Sequence, residues 1–180
     1  SELTNLVFTI GKYPTLLKTF RVMPVHKKGS RLDVTNYRPI SLLSNINKII
    51  EKLLHKRLYN FLEHNQSLFS KQFGFRKSLS TSHALTNITQ ELNNALDAGK
   101  FACGVFIDLE KAFDTVDYDI LASNLNHYEI KGTNLDWFKH YLTGRRQCVA
   151  YDGQTTKTMK IECGVPQGSV LGPHVLGWSV

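Results

Sequence analysis

FIDLEKAFDTVD, residues 106–117, carries an internal conflict. Val105, Phe106 and Ile107 read as the end of a buried strand over Phe101–Leu109, yet that run delivers a carboxylate, Asp108, straight out of its end. A charged carboxylate in an apolar interior costs several kcal/mol unless a partner, a metal or water meets it. At a strand end, with the Leu109 carbonyl beside it, Asp108 suits a hard divalent cation, which takes oxygen ligands. The same residue equally suits a helix cap or an ion pair with a lysine. Phe113 fits core packing as readily as ligand contact, and Asp114 and Asp117 fit caps of the helix that follows.

Outward from this stretch, the spacing predicts helices and strands without a βαβ rhythm, an α+β class. Upstream, Ile46, Ile49, Ile50, Leu53, Leu54, Leu58, Phe61 and Leu62 form the stripe of an amphipathic helix, with Ser44 or Asn45 as its cap. A second helix is expected over Thr81–Leu96, with Leu85, Ile88, Leu92, Ala95 and Leu96 inward and Gly99 as its stop. Arg21–Pro39 reads as irregular, with a short strand near Phe20–Val25. Downstream, helices are expected over Val116–Leu125 and Thr133–Thr143. Residues 146–163 then read as a hairpin turning at Asp152-Gly153.

Composition bounds the function. The 180 residues are 42% hydrophobic and 21% charged, ordinary for a globular chain of one domain. No apolar run approaches the roughly 18 residues of a membrane span, and the first residues lack the basic start and cleavage site of a signal peptide. A membrane partner is therefore not expected. Cys103, Cys148 and Cys163 are far apart, which predicts reduced, mostly buried thiols in an intracellular protein, without disulfides; nucleus and cytoplasm are not distinguished, nor is an oligomeric state. The net charge of +7 is unevenly placed. Residues 1–100 hold fifteen Lys/Arg against six Asp/Glu, and residues 101–180 hold seven against nine. A polyanion gripped by the front half is one reading, and a solvated basic face is the other.

Two further blocks carry chemistry. GVPQGSVLGP (164–173) has three glycines that permit close backbone approach, a stiffening Pro166, and Gln167 able to bond a base or sugar edge. QFGFR (72–76), flanked by Lys71 and Lys77, interleaves cations with aromatics, which suits phosphate contact and stacking. It equally suits a loop anchored by Phe73 and Phe75.

NYRPISLL (36–43), QFGFR, FIDLEKAFDTVD and GVPQGSVLGP, in this order and spacing, resemble the reverse transcriptase domain of non-LTR retrotransposons of the jockey-like or long interspersed element kind. The resemblance runs from about Gly11 to Pro173. It implies a right-hand polymerase fold, with fingers in residues 1–100, part of the palm in 101–180 and no thumb. It implies RNA-directed DNA synthesis from deoxynucleoside triphosphates on an RNA template and DNA primer, with two Mg²⁺ (or Mn²⁺) ions. By resemblance, Asp108 is the first catalytic acid and metal ligand, helped by the Leu109 carbonyl, and Phe113 is the aromatic gate against a ribose 2′-hydroxyl. Arg76 grips the triphosphate. Gln167 and Gly168 line the nucleotide site, while Lys27, Lys28, Arg38, Lys71 and Lys77 meet nucleic acid.

The chain also departs from that pattern. The family's aromatic-x-Asp-Asp hairpin, source of its other two carboxylates, is not found, and no acid follows Glu162. A truncated domain without polymerase activity of its own is therefore expected. The alternatives are a non-catalytic RNA-binding remnant and a relic that does not fold stably.

Overall fold

In the computed structural model, which describes residues 2–179, the chain opens with helix α1 (Glu2–Thr9) and strands β1 (Thr19–His26) and β2 (Tyr37–Leu42). Helices α2 (Asn45–His64), α3 (Thr81–Asp97), α4 (Tyr118–His127) and α5 (Thr133–Leu142) follow. Strands β3 (Arg146–Tyr151), β4 (Gln154–Thr155) and β5 (Met159–Lys160) lead into α6 (Gly172–Ser179). This mixture of helices and one sheet is the expected α+β class.

Local chemistry sets the helix starts. Ser44 caps α2, its side chain accepting from the Asn47 N–H at 3.2 Å. Asp117 caps α4, accepting from Asp119 N–H at 2.8 Å and Ile120 N–H at 3.0 Å. Ile50, Leu54, Leu58 and Leu62 of α2 then bury one stripe against Leu121 and Leu125 of α4, Trp137, Phe138, Tyr141 and Leu142 of α5, and Val175 of α6. At its centre the Trp137 ring stacks on Tyr141, centroids 5.1 Å apart, and meets Tyr13 edge-on at 5.5 Å.

The sheet runs in the order β2-β1-β3-β4, with β5 also on β3. β1 and β3 are parallel, Phe20 opposite Gln147, and the other pairs are antiparallel. Phe20, Val22 and Leu43 form a smaller second core. The stretch read as irregular, Arg21–Pro39, thus runs into the first half of β2, while the short strand expected near Phe20–Val25 is β1. Pro39 of β2 lies opposite Pro24 of β1, two residues without an N–H at one register position, on an edge strand where proline is tolerated.

Three expectations are corrected. Residues 101–109 form no strand: they make no backbone ladder among the described residues, and Phe106 is 89% exposed. Helix α3 has the predicted span but buries none of its residues, so Leu85, Ile88, Leu92 and Leu96 face outward. Cys103 and Cys163 are exposed and Cys148 is half-buried. The cause is common to the first two. An apolar pattern marks a face that gains from cover, and nothing among the described residues covers these. Unequal stability effects follow. Leu62→Ala is expected to lower unfolding free energy by about 2–5 kcal/mol, whereas Leu85→Ser should change it by less than about 0.5 kcal/mol, both read by urea denaturation.

Candidate functional site

The GVPQGSVLGP turn is the junction of the sequence blocks. On one side it zips onto FDTV: Gly164 N–H donates to the Val116 carbonyl at 2.8 Å, and Val165 N–H donates to the Phe113 carbonyl at 2.7 Å. The Tyr118 hydroxyl adds a bond to the Gly164 carbonyl at 2.9 Å. Gly164 has φ +82°, and a Cβ there would lie 2.8 Å from the carbonyl oxygens of both Phe113 and Asp114. On the other side, Ser41 N–H donates to the Gln167 carbonyl at 2.7 Å, joining the turn to the RPIS strand β2. Gly168, φ +105°, brings its backbone so close that a Cβ would sit 3.1 Å from the Ser41 oxygen. QFGFR reaches the same junction through α6, with Phe75 6.1 Å from His174 and Gln72 against Gly177.

The candidate site residues divide accordingly. Phe113, half-buried on the main core, is bonded to the turn at Val165, and the turn carries half-buried Gln167 two residues on, with exposed Gly168 beside it. Arg76 is already engaged. Its Nε and one terminal nitrogen donate to the two Glu63 oxygens at 3.2 and 3.0 Å, and its other nitrogen donates to the Phe69 carbonyl at 3.1 Å. The Tyr59 hydroxyl bond, then the Arg76 fork, hold Glu63 below the usual carboxylate range. Lys71 pairs with Glu91 of α3 at 3.0 Å, and Lys77 is exposed. Lys27 and Lys28, at the β1–β2 turn, and Arg38 of β2 are exposed.

Asp108 and Leu109 lie in the irregular, exposed stretch. Asp117 is used as a cap, and no three His, Cys, Asp or Glu residues converge to hold a metal ion among the described residues. The residues as placed do not fit a two-ion centre, and no step through one follows from them.

Sequence reading missed a buried polar cluster beneath the turn. Glu51 of α2, 0% exposed, accepts from the Tyr141 hydroxyl at 2.8 Å and from the Val170 N–H at 2.7 Å, fastening the turn to α2. Burial pushes its pKa up. Arg145, also 0% exposed, lies over the Tyr141 ring at 4.3 Å and the Phe20 ring at 5.3 Å. None of its three nitrogens has a hydrogen-bond partner among the described residues. Each ring contact offsets about 1–2 kcal/mol when desolvated, less than the several kcal/mol of burying a guanidinium. Lys18, a second buried cation, donates to the Thr143 carbonyl at 3.0 Å; burial, then the Arg145 charge, push its pKa down. A signal existed for Glu51: at i−3 from Leu54 and i−7 from Leu58, it is a charge on the apolar stripe.

Where α2 meets α6, the His55 and His174 rings lie 3.9 Å apart. Burial, then the neighbouring His55, push His174 down to about 4, and burial lowers His55. His174 stays neutral in the folded chain down to about pH 4, and His55 resists protonation more than a free imidazole, while the unfolded chain takes up protons near pH 6.5. Stability is thus fully present above pH 6.5 and is lost as pH falls toward 4. His174→Phe should flatten that limb of a melting-temperature profile over pH 4–7.

Residues 25–177 match the family described as reverse transcriptase (RNA-dependent DNA polymerase). The chain belongs to that family. Reverse transcriptases of non-LTR elements are its relatives: it is 34% identical over 170 residues to the probable RNA-directed DNA polymerase from transposon BS of Drosophila melanogaster. It is 34% identical to the RNA-directed DNA polymerase from mobile element jockey, and 31% to the probable one from transposon X-element, both of the same fly. Each alignment covers 94% of this chain but only 18–19% of the relative, so the chain spans about a fifth of their length. This jockey-like reverse transcriptase sequence keeps all four blocks within the matched span. The matched span begins inside β1, while Val7 and Tyr13, both buried in the main core, precede it.

Proposed function

We propose that this chain forms the part of an RNA-directed DNA polymerase that holds RNA template, DNA primer and the incoming deoxynucleoside triphosphate. Residues 1–100 act as fingers and 101–180 as part of the palm. The observation that carries the reading is the junction itself: two backbone bonds fix FDTV to the turn, one of them at the Phe113 carbonyl, and one fixes Gln167 to β2. In this reading the Phe113 ring stands against the sugar, where a 2′-hydroxyl would not fit, and Gln167 and Gly168 meet the base pair being formed. Arg76 exchanges the Glu63 carboxylate for a phosphate, since its fork suits either anion. Lys27, Lys28, Arg38, Lys71 and Lys77 meet strand phosphates, as the basic front half favours. Asp108 is one carboxylate of a catalytic set whose other members are not among the described residues.

A non-catalytic nucleic-acid-binding role is the second reading, favoured by the separation of Asp108 from any acid cluster. Fluorescence anisotropy with an RNA template–DNA primer duplex tests both. Binding is expected to weaken with salt, and Lys27→Gln with Lys28→Gln should lower the log–log salt slope by about 1–2. Salt-independent binding, or none, would overturn both readings. Tightening by the next correct deoxynucleotide supports the first, and indifference to it supports the second. Primer extension by this chain alone is expected to show no incorporation. Incorporation abolished by Asp108→Ala would show that the acid set is complete after all.

A further inference from the structure

We infer that the cavity walled by Arg145 is a binding site for a single phosphoryl group. The cavity, about 330 Å³, lies between the sheet and the GVPQGSVLGP turn. Arg145, Ser41, Gln147, Gln167, Asp114 and Cys163 supply its polar wall. A guanidinium presents five N–H donors in a planar fork matched to tetrahedral oxyanions. Here all three of its nitrogens are buried and none has a hydrogen bond of good geometry among the described residues, the Tyr141 hydroxyl and ring being the polar and aromatic groups that act on it. The nearby acid, Glu51, acts on Arg145 through its charge but makes no hydrogen bond to it among the described residues; its two oxygens bond Tyr141 and Val170. Lys18, buried and raised in energy by the Arg145 charge, adds a second cation to the same neighbourhood. Two buried cations with one engaged carboxylate leave an excess of positive charge beside a space large enough for an anion.

Arg145 is closed to water, so occupancy requires the wall to yield. The wall beside it is lightly held: β5 has two residues, and Ile161 N–H bonds the Arg145 carbonyl at 2.9 Å. Asp114 is the rival occupant, an exposed acid on the same cavity. The phosphoryl group comes from a nucleotide or from a strand backbone, and only this choice of source rests on the polymerase reading.

The test titrates inorganic phosphate into the whole chain at constant ionic strength, following arginine Nε–H resonances by ¹⁵N NMR. One resonance, missing from Arg145→Lys, is expected to shift saturably with phosphate and not with chloride. No saturable shift, or the same shift with chloride, overturns the site; this readout uses the unsubstituted chain and survives failure of the variant to fold. Where Arg145→Lys melts cooperatively, its phosphate affinity should fall at least tenfold. Asp114→Asn is expected to leave the free resonance in place, with phosphate binding equal or tighter. A resonance that moves on this substitution and then ignores phosphate assigns Arg145 to Asp114 and overturns the proposal. Displacement of phosphate by a deoxynucleoside triphosphate alone names the nucleotide as source, and displacement by a single-stranded oligonucleotide alone names the strand. Displacement by neither upholds the phosphoryl site and overturns its tie to the polymerase reading. Loss of duplex binding with the phosphate shift intact would overturn that reading and not the site.

Discussion

Glu51→Ala is expected to lower unfolding free energy by about 3–5 kcal/mol, a large share of the about 5–15 kcal/mol that a domain has in total. The side chain is wholly buried and serves two elements at once. Its removal leaves the Val170 N–H and the Tyr141 hydroxyl without an acceptor in the interior, each a desolvated group of about 1–3 kcal/mol. It also strips Arg145 of the one negative charge acting on it from α2, so a buried guanidinium stands uncompensated. Glu51→Gln keeps the volume and an acceptor for one partner but turns its amide N–H₂ toward the other, so a smaller loss is expected. Because burial raises the folded pKa of Glu51, the folded chain binds a proton there more readily than the unfolded one. The contribution of this site to stability therefore falls as pH rises from the unfolded value through the raised folded value, and Glu51→Gln removes that slope. A second substitution, Arg145→Met, should recover part of the loss, with a coupling above about 1 kcal/mol in the double-mutant cycle. Chemical denaturation followed by circular dichroism measures all four proteins; a Glu51→Ala chain within about 1 kcal/mol of the parent would remove Glu51 from its role as the fastening of the turn.

The contrast between Glu51 and its neighbours shows what a sequence reading reaches. Helices α2, α4 and α5 were legible because cap, stripe and stop agree: Ser44 or Asp117 opens, an i, i+4 apolar row follows, and Gly144 closes α5 at φ +68°. The Asp152-Gly153 turn was legible for a similar reason, since both residues take the positive φ, 48° and 74°, that such a hairpin turn requires. What escaped was everything set by distant partners. β2 is hidden by its proline, and its pairing with β1 shows only once the two strands lie side by side. Helix α6 is hidden by Gly172, Pro173 and Gly177, residues that local propensity disfavours in helices. The apolar rows of α3 and 101–109 were read correctly as patterns and wrongly as buried, because periodicity names a face and not its cover. The candidate site followed the same rule. FDTV and the GVPQG turn were legible as blocks, while their pairing, through Gly164 and Val165, joins positions about fifty residues apart.

That pairing rests on one backbone position, and Gly164→Ala is expected to break it. At φ +82° an alanine is strained by about 1–2 kcal/mol. Its Cβ would also lie 2.8 Å from two carbonyl oxygens and 2.9 Å from the Asp114 Cα, all backbone atoms that cannot rotate aside. Relief requires FDTV to separate from the turn, breaking the Gly164–Val116 and Val165–Phe113 bonds. The combined loss is about 2–4 kcal/mol by the usual costs of left-handed strain and overpacking. Gly99→Ala is the control: φ there is +66°, but nothing lies within 4 Å of its Cβ, so strain acts alone and about 1 kcal/mol is expected. The functional readout separates the two further. With Phe113 released from the turn, the deoxynucleotide-dependent tightening on primer–template should fall at least tenfold for Gly164→Ala. The salt-dependent binding of the duplex itself, which the proposed function gives to Lys27, Lys28 and Arg38, should change less than twofold in both variants. Gly164→Ala melting with Gly99→Ala and retaining nucleotide-dependent tightening would show that the junction does not position Phe113.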